Sequence, residues 1–155
     1  MNQKIRKFGI SAIVFIIVVA YFSPKPLVRN VEDGNIISVM YRDDTWEELY
    51  LFYPSQLVPF INEGELLQIL NQSKAVVEVL PPTVIDGIPT DVITLWITVS
   101  DGGSIKNIIL GDWNRVIIQD KSTSYQIIDA DSVLTKALNC LQIDEDIDMS
   151  KMQPI

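Results

Sequence analysis

Histidine is absent from this 155-residue sequence, and cysteine occurs once, at Cys140. Without an imidazole the chain holds no Ser-His-Asp triad, no Cys-His pair and no histidine-ligated metal of its own. A single thiol excludes four-cysteine zinc and iron–sulfur sites. Phosphate-binding glycine loops, nucleophile elbows and dinucleotide fingerprints are missing too. Carboxylate, lysine, tyrosine and hydroxyl groups are the remaining means of catalysis, and the sequence calls for no cofactor. It contains no internal repeat and no low-complexity segment.

Basic charge is scarce and unevenly placed. Lys4, Arg6, Lys7, Lys25 and Arg29 fall within residues 1–29, which contain no acid. Residues 30–155 carry 7 basic and 20 acidic groups, a net of −13. So acidic a domain is repelled by nucleic-acid phosphates, which argues against DNA or RNA as a partner, and by anionic lipid. The hydrophobic content of 48% argues against disorder. About 125 residues beyond the N-terminal segment are enough for a self-sufficient core.

That N-terminal segment pairs a basic leader, residues 1–7, with an unbroken apolar run from Phe8 to Phe22, closed by Ser23-Pro24-Lys25-Pro26. The combination is that of an export signal or membrane anchor. As a helix, these fifteen residues rise roughly 22 Å, short of a hydrocarbon core of ~30 Å. Tyr21 and Phe22 suit the interface, and the flanking Lys and Arg side chains can snorkel. We expect residues 8–22 to be a single-pass transmembrane anchor, with a cytoplasmic N-terminus and an extracytoplasmic C-terminal part. The alternative is a secreted protein cut after Ala20, where Val18 and Ala20 supply small residues. No Cys stands directly after the run, which excludes a lipid-modified cysteine anchor there.

Residues 23–35 read as a linker, because Pro24 and Pro26 break the helix. Residues 36–142 read as an α+β domain, and residues 143–155 as an acidic flexible tail. Alternation predicts a strand at 36–42 and a returning strand at 46–53, which together make a hairpin. Asn62, with Glu65 three residues on, starts a helix through Gln72 whose stripe is Leu66, Ile69 and Leu70. A short strand is expected at 75–80, then a turn-rich stretch at 83–91. Strands follow at 92–99, 104–110, 115–119 and 124–128, the first two joined across Asp101-Gly102-Gly103. Asp131 is placed to cap a last helix through Leu141, with Leu134, Ala137, Leu138 and Leu141 inward. The expected fold is an antiparallel β-meander with two helices on one face.

The candidate site residues are few, and each has a structural alternative. Trp113, at a hairpin tip, is either an anchor for a partner's pocket or sugar, or an indole folded over a neighbouring strand. Trp96, Thr94 and Thr98 share one face of their strand, which is either a binding surface or an ordinary covered face. Asp144, Asp146 and Asp148 alternate in the manner of calcium ligands, but Met149 and Ile155 occupy the glycine and glutamate positions of an EF-hand loop. We therefore assign no metal and read the segment as solvated tail. Cys140 is either a site for an intermolecular disulfide or a small buried hydrophobe. Glu47 and Glu48 are strand neighbours on opposite faces, so they form no acid–base pair. Asp86, Asp91 and Asp101 read as turn residues, and Ser73-Lys74 as a helix end.

The segments NEGELLQILNQSKAV, GIPTDVITLWITVSDGGSIKNIILG and SYQIIDADSVLTKAL, between Leu57 and Leu141, resemble small uncharacterised extracytoplasmic domains of Gram-positive bacteria, a domain of unknown function. The resemblance implies a helix ahead of a meander and an anchoring or exporting N-terminus, and no catalytic residue. The expected function is non-enzymatic: a membrane-held module that contacts a protein or cell-envelope partner. The alternatives are a secreted hydrolase inhibitor and a small carboxylate enzyme acting on envelope glycans, which needs two acids roughly 5–9 Å apart in a cleft.

Overall fold

Alternation within residues 94–110 organises the chain. In the computed structural model, which describes residues 3–32, 34–42, 49–52, 62–78, 93–111, 113–119, 121 and 123–141, this stretch forms β5 (Thr94–Asp101) and β6 (Ser104–Leu110). Leu95, Ile97 and Val99 of β5 point to one side with Lys106, Ile108 and Leu110 of β6, and all are buried. Gly102 and Gly103 between the strands both have positive φ, 57° and 80°. Two such residues make a turn whose twist matches the flanking strands.

The meander continues through β7 (Arg115–Ile118) and β8 (Ser124–Ile127), each antiparallel to its predecessor. Strands from earlier in the chain extend it on both sides. β2 (Asn35–Arg42) pairs with β5 and carries β3 (Leu49–Phe52) on its outer side, giving the expected hairpin. β4 (Lys74–Val77) pairs with β8 and carries β1 (Lys25–Pro26). The result is one curled, wholly antiparallel sheet of order β1-β4-β8-β7-β6-β5-β2-β3. Val39, Ile97, Ile108 and Val116 are aligned across four strands, and this row is the floor of the core.

Two helices cover that floor, so the α+β architecture stands. The first after the N-terminal segment spans Glu63–Gln72 and buries Leu66, Leu67 and Leu70, with Ile69 partly covered. The Asn62 Oδ1 accepts the backbone N–H of Glu65 at 3.2 Å, and its Nδ2 donates to the Glu65 carboxylate at 3.1 Å. The first bond is the N-cap that the residue spacing predicts; in the second the Glu65 carboxylate takes the Asn62 side-chain amide in place of the backbone N–H of a full capping box. The last helix, Ala130–Asn139, buries Val133 and Ala137 and is followed by buried Cys140 and Leu141. Leu134 and Leu138 are partly buried. Its cap departs from expectation. Asp129, in the left-handed conformation with φ 52°, precedes the helix and makes no side-chain cap bond. Asp131 falls inside the first turn, where its charge complements the helix dipole.

The N-terminal segment is a helix, α1, from Gln3 to Phe22; the other two are α2 (Glu63–Gln72) and α3 (Ala130–Asn139). Residues 11–22 of α1 are exposed, and its C-terminal end lies near β4. Among the described residues no helix is long and apolar enough to cross a membrane.

Residues 23–35 are not free linker. Lys25–Pro26 is an edge strand on β4, and Leu27 and Val28 are wholly inside the core. The Leu27 N–H donates to the Ser73 carbonyl at 3.1 Å, and the Asn71 side chain donates to the carbonyls of Val28 and Arg29. The prolines do end α1, but the chain turns straight into the sheet edge. A two-residue strand containing proline leaves no periodic trace in the sequence.

Candidate functional site

Lys106 follows the core phase of β6, between Ile108 and the hairpin turn, and so is carried indoors. Only 6% of it is exposed, and 5% of Asp101. The Lys106 Nζ donates to the Asp101 carboxylate at 2.5 Å and to the Leu27 carbonyl at 2.8 Å. Asp101 also accepts the backbone N–H of Arg29, 3.2 Å from each carboxylate oxygen. The pair thus clamps segment 27–29 against the β5–β6 hairpin. Burial pulls the Asp101 carboxyl up, but the Lys106 hydrogen bond, the Arg29 N–H and the Lys106 charge together hold it below its ordinary 3.8. Asp101 is therefore more than a turn residue. Its phase with Leu95, Ile97 and Val99, and that of Lys106 with Ile108 and Leu110, are the signals that mark both as inward-facing.

Beside the clamp lies an open cavity of about 30 Å³. The buried Lys106, Leu27, Val116 and Ile118 line it together with Lys25, Arg29 and Tyr125. The Lys25 ammonium is set between two rings, 5.5 Å from the centroid of Tyr21 and 5.9 Å from that of Tyr125. Tyr21 belongs to the last turn of α1, so the cavity opens where that helix meets the sheet.

The face of the sheet opposite the core carries the residues singled out from the sequence. Met40, Trp96, Ile109, Arg115, Gln126 and Val76 form one cross-strand row. Ser38, Thr98, Asn107, Ile117 and Ser124 form the next. Trp96 is half-buried and Thr94 buried, the latter accepting from the Arg42 guanidinium at 2.9 Å. The half-buried Thr98 donates to the Asn107 side chain at 3.0 Å. Near the β8 end, Glu78 accepts from Arg115 at 3.0 Å and from the Ser124 hydroxyl at 2.7 Å. Trp113 lies beyond the Leu95–Leu110 pairing, in the β6–β7 turn, and is 40% exposed.

Cys140 is buried, and its thiol donates to the Lys136 carbonyl at 3.5 Å. Burial pushes that thiol above its ordinary 9.0, and the Glu65 charge adds to the effect. This is the small-hydrophobe reading, with no surface for an intermolecular disulfide. Asp144, Asp146, Asp148, Glu47, Glu48, Asp86 and Asp91 lie outside the described residues. Among the described residues no three acidic or cysteine side chains come together as a metal site.

No family model matches this chain, and no curated protein and no solved structure is detectably similar to it.

Proposed function

We propose that this protein is a module held at the outer surface of a membrane by α1, and that it binds a partner rather than transforming one. One observation carries the reading. Of eleven exposed large hydrophobic residues, nine lie on α1, from Ile13 to Phe22, and two, Ile105 and Trp113, on the rest of the described chain. Moving nine such side chains out of water is worth on the order of 10–25 kcal/mol. That is as large as the stability of a whole domain. A helix of this kind calls for lipid around it.

The short span is a matter of fit. Phe8 to Phe22 covers roughly 22 Å of a ~30 Å core. In this reading Lys4, Arg6 and Lys7 reach the cytoplasmic interface, Tyr21 and Lys25 sit at the opposite one, and the bilayer thins locally. The acidic part lies on the side away from the basic leader. For the binding role, the support is how the buried and half-buried carboxylates are used. Asp101 is engaged by Lys106, Glu78 by Arg115, and Glu63 by the backbone N–H of Ile36 at 3.1 Å. The half-buried Trp96 and the exposed Trp113 and Ile105 are the apolar groups this module offers a protein or envelope partner.

The test is cell fractionation with an alkaline wash, then determination of the N-terminus and mass of the mature protein. We expect an intact N-terminus in the washed membrane pellet, and a domain cleaved by protease added from outside. A soluble product beginning at Tyr21 would overturn the anchor and favour a secreted inhibitor.

A further inference from the structure

The cavity at the junction of α1 and the sheet is chemically unlike the rest of the molecule. Acidic residues outnumber basic ones by 20 to 12 in the chain, yet among the described residues every charged one lining this cavity is a cation: Lys25, Arg29 and Lys106. Lys106 is balanced by Asp101. Lys25 and Arg29 make no ion pair with a described residue. Among the described residues, nothing pairs with these two positive charges at the mouth. Lys106, which also lines the cavity, is buried and has spent two of the three N–H bonds of its ammonium, on Asp101 and on the Leu27 carbonyl. The third is left for whatever enters.

Size narrows the occupant. About 30 Å³ holds roughly two water-sized atoms. That is room for the oxygens of a functional group, with the remainder of its molecule outside. The side chains of Leu27, Val116 and Ile118 are apolar wall, and the Leu27 carbonyl is already taken by Lys106. The site is also pre-ordered, because the aromatic rings of Tyr21 and Tyr125 already hold the Lys25 ammonium at the rim.

We propose that this cavity receives a phosphate group, with its oxygens taken by Lys106 within and by Lys25 and Arg29 at the rim. Two sources present that chemistry: the headgroup of an anionic phospholipid, or free phosphate. The lipid source rests on the membrane reading above, since the mouth then lies beside the last turn of the inserted helix. The cavity itself does not depend on that reading.

The experiment uses the full chain, labelled for nuclear magnetic resonance, in maltoside micelles that contain no phosphate. It is titrated separately with inorganic phosphate, with dihexanoyl phosphatidylglycerol and with dihexanoylglycerol. Saturable shifts of the Leu27, Lys106 and Tyr125 amides are expected with the first, the second or both, and none with dihexanoylglycerol. Shifts with phosphatidylglycerol alone identify the lipid source, and shifts with inorganic phosphate identify a free one. The double variant Lys25→Gln/Arg29→Gln changes only rim side chains. It should keep the spectrum of the folded protein and lose about tenfold in affinity per cation removed, whereas Lys136→Gln on α3 loses none. Unsaturable shifts with both phosphates, or equal affinity in the double variant, would overturn the proposal. A chain that is soluble in cells but binds inorganic phosphate keeps the cavity and loses the anchor. One that stays in washed membranes and binds neither phosphate loses the cavity alone.

Discussion

Asp101, the last residue of β5, and Lys106, three residues into β6, join across their own hairpin in the interior of the sheet, and the carboxylate also takes the backbone N–H of Arg29. The pair ties the chain leaving α1 to the strands at the centre of the fold. Removing one member leaves a buried charge without its partner. Lys106→Met should destabilise the protein by about 3–5 kcal/mol. Asp101→Asn keeps an acceptor for Arg29 and should cost less. Urea denaturation of the full chain in a non-ionic detergent measures both, and equal, negligible losses would show that the clamp is not structural.

The same pair sets an acid limb. The folded Asp101 carboxyl lies below its ordinary 3.8, so the unfolded chain takes up the proton more readily. Its contribution to stability is complete above that ordinary value and is lost as pH falls through the lower, folded one. Urea midpoints measured from about pH 6 down to about pH 2 should therefore fall in the acid range. The drop should be shallower in Asp101→Asn, and an unchanged slope in that variant would assign it to other carboxylates.

Segment 23–35 offers a sharper contrast. A chain starting at Ser23 retains β1, Leu27 and Val28 and should fold. One starting at Ile36 loses two wholly buried side chains, worth roughly 3–6 kcal/mol, along with an edge strand and the clamp's backbone partners. Against a typical domain stability of about 5–15 kcal/mol this is enough to unfold much of the population. Amide dispersion of the two truncated chains decides it, and equal dispersion would mean that the segment is dispensable.

Gly111 should not tolerate a side chain. Its φ is +96°, and a Cβ built there would meet the Ile93 carbonyl oxygen at 1.9 Å, with Thr94 backbone close behind. Backbone must move to accept Gly111→Ala, at an expected cost of more than about 2 kcal/mol. Gly102 also has positive φ but faces open space, so Gly102→Ala should cost about 1 kcal/mol. Thermal melts that ranked the two the other way would contradict this account.

Cys140 should resist thiol reagents in the folded state, because it is buried and its thiol is held above 9.0. Labelling by a maleimide at neutral pH should track the urea unfolding curve. Rapid labelling without urea would place the thiol at the surface.

Much of this fold was legible because local periodicity determines it. The alternation of Leu95, Ile97 and Val99, the Asp-Gly-Gly turn and the Asn62–Glu65 cap each lie within a few residues, and each appears where the spacing puts it. Which strands would flank the meander was not legible, because β2 on β5 and β4 on β8 join residues tens of positions apart. The prolines at 24 and 26 hid β1, and Leu27 and Val28 were too brief an apolar pair to mark a core. Lys106 and Asp101 did leave a trace, as charged residues in phase with core positions. A charge in such a phase reads as surface unless a partner in phase on the next strand is sought at the same time.

Only Ser23 and Pro24 stand between α1 and β1, and that shortness has a mechanical meaning. A tether with slack absorbs a pull before the load reaches the body it holds. Here a pull along α1 arrives at once at a two-residue strand on the sheet's edge, whose ladder to β4 would be stripped first. Behind it the tension meets Leu27 and Val28, seated in the core, and the carbonyl gripped by Lys106. The domain would turn with its helix as one piece, and under load it would open from the cavity end.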